Sequence, residues 1–445
     1  MLLVPSMLVL VPLIAIFAEG SAHWTVMGRS VAIALICVGG LTLIAARVLR
    51  NPVLASVLVT ELVWAFFEWR VAVVLGLTLV ALAAFSAIRR RRLVLRPAVL
   101  LLPVTVIVLA TIARAVSIGA FSEDDFRVSV STAPRAAASA APDGPNVYVL
   151  LLDGYPRQDS LSNAFAFDNE PFLQELEANG FAVNRAAKTE FERTELTLSS
   201  LSLADHSELD TYPYDAREFA RVVRRDVRRE RLVNTMAMDQ LRDLGYRLIY
   251  VPSPVTFVDW TGWDERRDPG TPTDYESVVI QRTPLRFVLG GWLLDEARER
   301  VSDSLDKWRA GNGKSFVFAH VQAPHPPFLW DDDGPVSEPL PCWYAVECYL
   351  YNGFPRDLRL TEAEYSAKVG GQVASLNELV LRATKRLIRD DPRAVIVIFS
   401  DHGTRYRDMQ NPEANRSLFA ARGTNVAEAD GLFIALLDEL SGEGE

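Results

Sequence analysis

Hydrophobic positions along this chain follow two regimes. Up to about residue 118 they form long runs at 2–18, 27–46, 52–67, 71–88 and 97–118. Most of these approach the ~20 residues needed to cross ~30 Å of hydrocarbon. The run 52–67 is short and carries Glu61, which makes it the weakest span. The first run lacks the basic flank of a signal peptide, and further spans follow it. From residue 146 the pattern changes to short β-prone apolar runs alternating with amphipathic helical stretches. Such alternation predicts an α/β domain with a mostly parallel central sheet flanked by helices. Strands are expected over 146–152, 247–251, 314–321 and from 395. Helices are expected over 170–179, stopping at Gly180, over 232–244, stopping at Gly245, and over 362–388. No internal repeat is evident.

Charge sharpens the division. Residues 1–120 hold ten arginines, no lysine and three glutamates, a formal +7, so the remainder of a chain with net charge −10 carries −17. Arg47, Arg50 and the cluster Arg89–Arg92 with Arg96 mark two loops as cytoplasmic by the excess of basic residues on that side. Two crossings must separate those loops, which implies a tight hairpin turning at Glu68-Trp69-Arg70. Five helices then place the N-terminus inside and everything after residue 118 outside. The expected organisation is a transmembrane helix bundle over 1–120, a Ser-, Ala- and Pro-rich flexible linker over 121–145, and a globular domain over 146–445. The charged stretch 215–231 reads as a solvated helical face. Cys37 lies in an apolar span. Cys342 and Cys348 form either a local disulfide or a pair of buried thiols, and nothing near them would complete a zinc site. No nucleic-acid partner is expected.

Two strands end in acids. Asn146–Leu152 is followed by Asp153-Gly154-Tyr155, and Ala394–Phe399 by Ser400-Asp401-His402-Gly403. A buried parallel strand delivers its terminal residue to the carboxyl edge of a sheet, so these two could bring three ligands to one point. A hydroxyl-rich segment, Thr194-Glu195-Leu196-Thr197-Leu198-Ser199-Ser200, opens an apolar run as at a helix N-terminus, where an anion is favoured. His320 and His325 frame a proline-stiffened loop containing His325-Pro326-Pro327-Phe328.

Taken together, the LLLDG strand end at 150–154, the T-x-x-T-x-x-S segment at 194–200, the HPPF turn at 325–328 and the SDHG strand end at 400–403 resemble the alkaline phosphatase superfamily. The resemblance is to its membrane-anchored sulfatase-like branch, which includes lipoteichoic acid synthases and phosphoethanolamine transferases. It covers about 146–403. It implies that Asp153, Thr194, Asp401 and His402 hold a metal and that Thr194 is the nucleophile. By the same resemblance, His325 holds the substrate phosphate or protonates the leaving oxygen, with His320 beside it. From the residues alone other readings stay open. Asp153 and Asp401 suit turn residues after strands, Thr194 an N-cap with Thr197 as nucleophile, His325 a loop brace, and His320 a supporting histidine. The C/S-x-P-x-R signature of true sulfatases is absent, which disfavours sulfate ester hydrolysis. Only five histidines occur in the chain, too few for a two-zinc site, so one divalent ion is expected, Mn²⁺, Zn²⁺ or Mg²⁺.

The function that follows is a metal-dependent phosphotransferase or phosphodiesterase acting on a membrane lipid or glycopolymer phosphodiester outside the membrane. Arg405, Arg407 and Lys188 are candidate anion clamps. The alternatives are a sulfuric or phosphoric monoester hydrolase of the same fold, or a catalytically silent envelope scaffold. The chain ends 42 residues after Gly403, where Gly431–Leu437 is the one further apolar element expected. A pared-down fold or impaired activity is therefore also expected.

Overall fold

A computed structural model describes residues 4–20, 27–67, 111–113, 144–192, 194–201, 236–255, 260, 262–268, 270, 272–281, 283–337, 361–403 and 413–442. The runs 71–88 and most of 97–118, the linker over 121–143, the stretch 215–231, Cys342, Cys348, Arg405 and Arg407 lie outside these residues. The chain divides into two compact units, Met1–Glu123 with Asp274–Gly290, and Asp124–Thr273 with Gly291–Glu445.

In the first unit the leading apolar run is two helices, Val4–Leu8 and Leu10–Gly20. Pro12 cannot donate to the carbonyl of Leu8, which accounts for the break at that point. Met27–Leu49 is the one helix among the described residues long and apolar enough to cross a membrane. Its apolar side chains face outward, with Ile36 and Val48 each 74% exposed. The helix Pro52–Phe67 coincides with the third run.

The second unit is built on a seven-stranded sheet. The strands are β1 (Val147–Leu152), β2 (Ala182–Val183), β3 (Arg247–Val251), β4 (Glu265–Arg266), β5 (Ser315–Val321), β8 (Val395–Phe399) and β9 (Phe419–Arg422), with β6 (Trp330–Asp331) and β7 (Gly334–Pro335) forming a separate hairpin. In the order β2-β9-β8-β1-β5-β3-β4, strands β8, β1, β5, β3 and β4 run parallel, β9 is antiparallel to β8, and β2 is antiparallel to β9. The central strands are buried at every position, as their largely apolar sequences favour, with Ser315 and His320 the polar exceptions on β5. One face of the sheet packs Leu198, Leu241, Trp260 and Phe433 against Phe316 and Phe318, including a stacked Trp260–Phe433 pair.

The expected helices are found at Glu170–Ala178, Met236–Asp243 and Glu362–Asp390. Gly180 and Gly245 terminate the first two in left-handed conformation, at φ +86 and +82. The tail after Gly403 supplies both β9 and the helix Leu432–Ser441, more than the single apolar element expected.

Candidate active site

Strand register builds the site. β1 lies between β8 and β5, with Leu151 opposite both Phe399 and His320. Two residues further on, Asp153 is level with Asp401. After a first excursion to the edge strand β2, the chain builds β3, β4 and β5 on one side of β1 and then β8 and β9 on the other. The two acids therefore meet at the switch point of the sheet, where open α/β sheets bind ligands.

Asp153, Asp401 and His402 are buried, and each offers a ligand atom within 4.8 Å of the others. His402 Nδ1 donates to the Gly403 carbonyl at 2.7 Å. That bond fixes the tautomer and turns the Nε2 lone pair toward Asp401 Oδ2 at 3.5 Å and Asp153 Oδ1 at 3.6 Å. The other oxygens of the two acids are engaged, Asp153 Oδ2 with His320 Nε2 at 3.3 Å and Asp401 Oδ1 with the Gly154 N–H at 2.9 Å. Asp153 Oδ1 and Asp401 Oδ2 accept no hydrogen bond among the described residues. Two buried carboxylate oxygens left in this state are costly in a folded protein, and a divalent cation between them and His402 would satisfy both. One imidazole with carboxylate oxygens suits Mn²⁺, Mg²⁺ or Zn²⁺.

Electrostatics separate the two acids. Burial raises both carboxyls. At Asp153 the charges of His325, His320 and His402 and the His320 hydrogen bond outweigh it and hold the group far below the usual carboxylate range. Asp401 is pushed up to about 6 by burial and then by the Asp153 charge, against hydrogen bonds from Thr194 and Gly154. Without a cation, the first proton the pair takes up, as pH falls through about 6, therefore goes to Asp401.

Thr194 begins the helix Thr194–Ser200, is 8% exposed, and its side chain lowers the Asp401 pKa. Thr197 is fully buried and donates its hydroxyl to the Asp401 backbone carbonyl at 2.8 Å. It ties the helix to the end of β8, while Thr194 faces the carboxylate. His325 is half-buried; its N–H donates to the Asp153 carbonyl at 2.9 Å, and its ring centroid lies 6.4 Å from that of His402. His320, expected beside the substrate, is fully buried on β5 with its imidazole against Asp153. Lys188 is exposed and bridges to Arg416 through backbone.

Glycines at two strand ends are required by space. A Cβ on Gly403 would lie 2.2 Å from the Arg416 carbonyl oxygen, and one on Gly154, at φ +69, would lie 3.1 Å from His402 Cε1.

Two supporting residues went unrecognised in the sequence. The Ser400 hydroxyl accepts the Tyr155 N–H and donates to the His402 carbonyl, both at 2.7 Å, which locks the two acid-bearing turns together. Gln372, fully buried in the helix Glu362–Asp390, accepts from Leu329 N–H and donates to the Pro327 carbonyl, and so holds the loop carrying His325. The signal for it was the pair Gly370-Gly371 beside it. A Cβ on Gly371 would lie 2.2 Å from the Asp331 carbonyl carbon, so glycines that weaken the helix mark the close approach of the loop.

No family model matches the sequence, and a search of curated proteins gives no match. Solved structures do resemble the chain. It is similar to the C-terminal periplasmic domain of EcEptC from Escherichia coli, in complex with Zn, at 12% identity over 67% of this chain and 83% of that one, TM-score 0.38. It is similar to the lipoteichoic acid synthase LtaP from Listeria monocytogenes at 15% identity over 70% and 76%, TM-score 0.36. It is similar to the integral membrane protein lipooligosaccharide phosphoethanolamine transferase A from Neisseria meningitidis at 11% identity over 96% and 78%, TM-score 0.39.

Proposed function

We propose that the protein is a metal-dependent phosphotransferase or phosphodiesterase that uses Thr194 on a lipid or glycopolymer phosphodiester outside the membrane. The observation that carries this reading is the convergence of Asp153, Asp401 and His402, with two buried carboxylate oxygens accepting no hydrogen bond among the described residues and the Thr194 side chain on Asp401.

Asp153, Asp401, His402 and Thr194 would hold the ion. When bound, a divalent ion there lowers the pKa of a nearby hydroxyl and offsets phosphate charge. Thr194 Oγ, its proton released to solvent, attacks phosphorus. The bond from phosphorus to the leaving alcohol breaks as His325 supplies that oxygen with a proton, which gives a phospho-threonine intermediate. Water or an acceptor hydroxyl then attacks the same phosphorus, gives its proton to His325, and Thr194 recovers its own. His320 orients Asp153, and the Pro326 carbonyl, which accepts from His325 Nδ1 at 2.7 Å, fixes the His325 ring. The membrane placement is part of the same proposal, with five spans holding the site beside the bilayer and raising the local concentration of a lipid-borne donor.

The experiment is to incubate full-length protein with a lipid extract and a divalent metal, quench in acid, and weigh the peptide containing Thr194. A phosphoryl-bearing adduct on Thr194 is expected. Diester turnover undiminished in Thr194→Ala would overturn the assignment.

A further inference from the structure

Exposed large hydrophobic side chains among the described residues fall on the helices Met27–Leu49 and Pro52–Phe67 and on one other place, Phe287, Val288 and Trp292. These three begin the helix Arg286–Lys307, where Phe287 is 78%, Val288 79% and Trp292 42% exposed. They share a stripe at helical spacing, and Gly291 on the same stripe is exposed as well. One turn further, the stripe changes character, to Asp295 and Glu299, both exposed. The opposite face is buried through Leu293 and Leu294. The helix is thus finished as a core element on one side and left apolar on the other for its first two turns only.

The preceding segment belongs to the membrane unit. The polypeptide leaves the soluble unit at 273/274 and rejoins it at 290/291. Within the membrane unit, the helix Asp274–Gln281 packs Tyr275, Val278 and Val279 against Ile14, Met27 and Phe67. The Tyr275 hydroxyl donates to the Leu13 carbonyl at 3.2 Å, and Arg29 forms a two-point ion pair with Glu276. Ile14 falls late in the first apolar run, Met27 starts the second and Phe67 ends the third. With alternating spans and an inside N-terminus, all three fall toward the extracytoplasmic end of the bundle.

We propose that residues 284–292 are an interfacial anchor, a short amphipathic element that inserts Phe287, Val288 and Trp292 into the outer phospholipid leaflet. Such a helix lies along the interface with its apolar face buried about 5–10 Å into the headgroup boundary. Tryptophan is favoured at that depth, and Arg286, stacked 4.7 Å from the Phe287 ring centroid, is placed for lipid phosphate. The consequence is a second attachment of the soluble unit to the bilayer, in addition to the linker that precedes it. The proposal rests on the membrane reading of the N-terminal runs and not on the phosphoryl chemistry.

The test uses the full-length chain with Cys37, Cys342 and Cys348 replaced by serine, in equimolar phosphatidylethanolamine and phosphatidylglycerol vesicles. Single cysteines are introduced as Phe287→Cys, Val288→Cys and, as a water-facing reference, Glu299→Cys, each carrying an environment-sensitive fluorophore. Nitroxide lipids labelled near the headgroup should quench the first two probes several-fold more than the third. Equal quenching at all three positions overturns the proposal, as does a blue-shifted emission at 287 and 288 without lipid quenching, which would mark a protein partner. A second reading needs no substitution, since a photoactivatable phospholipid should form adducts within the peptide spanning 284–292 of the unaltered chain, and their absence counts against it. None of these readouts involves turnover, so this proposal and the catalytic one fail separately.

Discussion

Each side chain at the switch point has one atom committed to a neighbour and another turned to a common centre. Asp401 gives Oδ1 to the Gly154 N–H, and His402 gives Nδ1 to the Gly403 carbonyl. If Thr194 is the proposed nucleophile, Thr194→Ala should lower diester turnover by roughly a thousandfold or more while leaving thermal unfolding nearly unchanged. Initial-rate assays beside a melting curve separate the two effects. His320→Ala should leave the fold intact but weaken metal binding by on the order of 10–100-fold, as loss of a residue that orients a ligand does. A titration of metal by calorimetry reads this directly, and affinity equal to that of the parent would show that His320 does not orient Asp153. Asp401 gives a pH signature of definite sign. Its carboxyl is raised to about 6 in the folded metal-free protein, so the stability it contributes is complete below the ordinary carboxylate pKa and is lost as pH rises through about 6. A metal must displace that proton, so affinity should fall as pH drops below about 6, by up to about tenfold per pH unit for one proton. An affinity that is flat across that range would contradict the assignment of the proton to Asp401.

Among the elements, the contact between the helix Glu362–Asp390 and the loop carrying His325 is the most exposed to test. Gly371→Ala forces a methyl into the Asp331 backbone, and Gln372→Ala leaves buried backbone groups without partners. Each should cost about 1–3 kcal/mol, measurable by chemical denaturation. If either change proves neutral, the loop is not held as described. Strands β1, β5 and β8 and the helices that stop at Gly180 and Gly245 were legible because long apolar runs and left-handed glycines leave few alternatives. The helix Arg286–Lys307 was not, because Gly290-Gly291 resembles a break and its first turns show apolar residues on the exposed side. β2 and β4 are two residues each, and β9 is Phe-Ala-Ala-Arg, too short and too weak in β preference to stand out. The two acids that converge were legible from the strands that end in them. The roles of Ser400 and Gln372 were not, since an uncharged side chain that bonds backbone carries no pattern of its own.

Over the whole molecule, the chain couples an apolar front to an acidic α/β unit, and the proposed reaction needs the α/β unit outside the membrane. The arginine loops at 47–50 and 89–96 are expected in the cytoplasm, with residue 146 onward outside. Cysteines introduced at Arg50 and at Arg157 should therefore react with an impermeant maleimide from opposite sides of sealed vesicles. Labelling of both from the same side would remove the five-span arrangement.

The central claim is that Asp153, Thr194, Asp401 and His402 bind one divalent ion. X-ray absorption at the zinc edge of protein loaded with a single equivalent of Zn²⁺ tests it most directly. The account predicts one imidazole nitrogen among otherwise oxygen ligands, at about 2.0–2.2 Å, with the imidazole signal gone in His402→Ala. Two or more imidazoles, a sulfur ligand, or an unchanged spectrum in His402→Ala would contradict it.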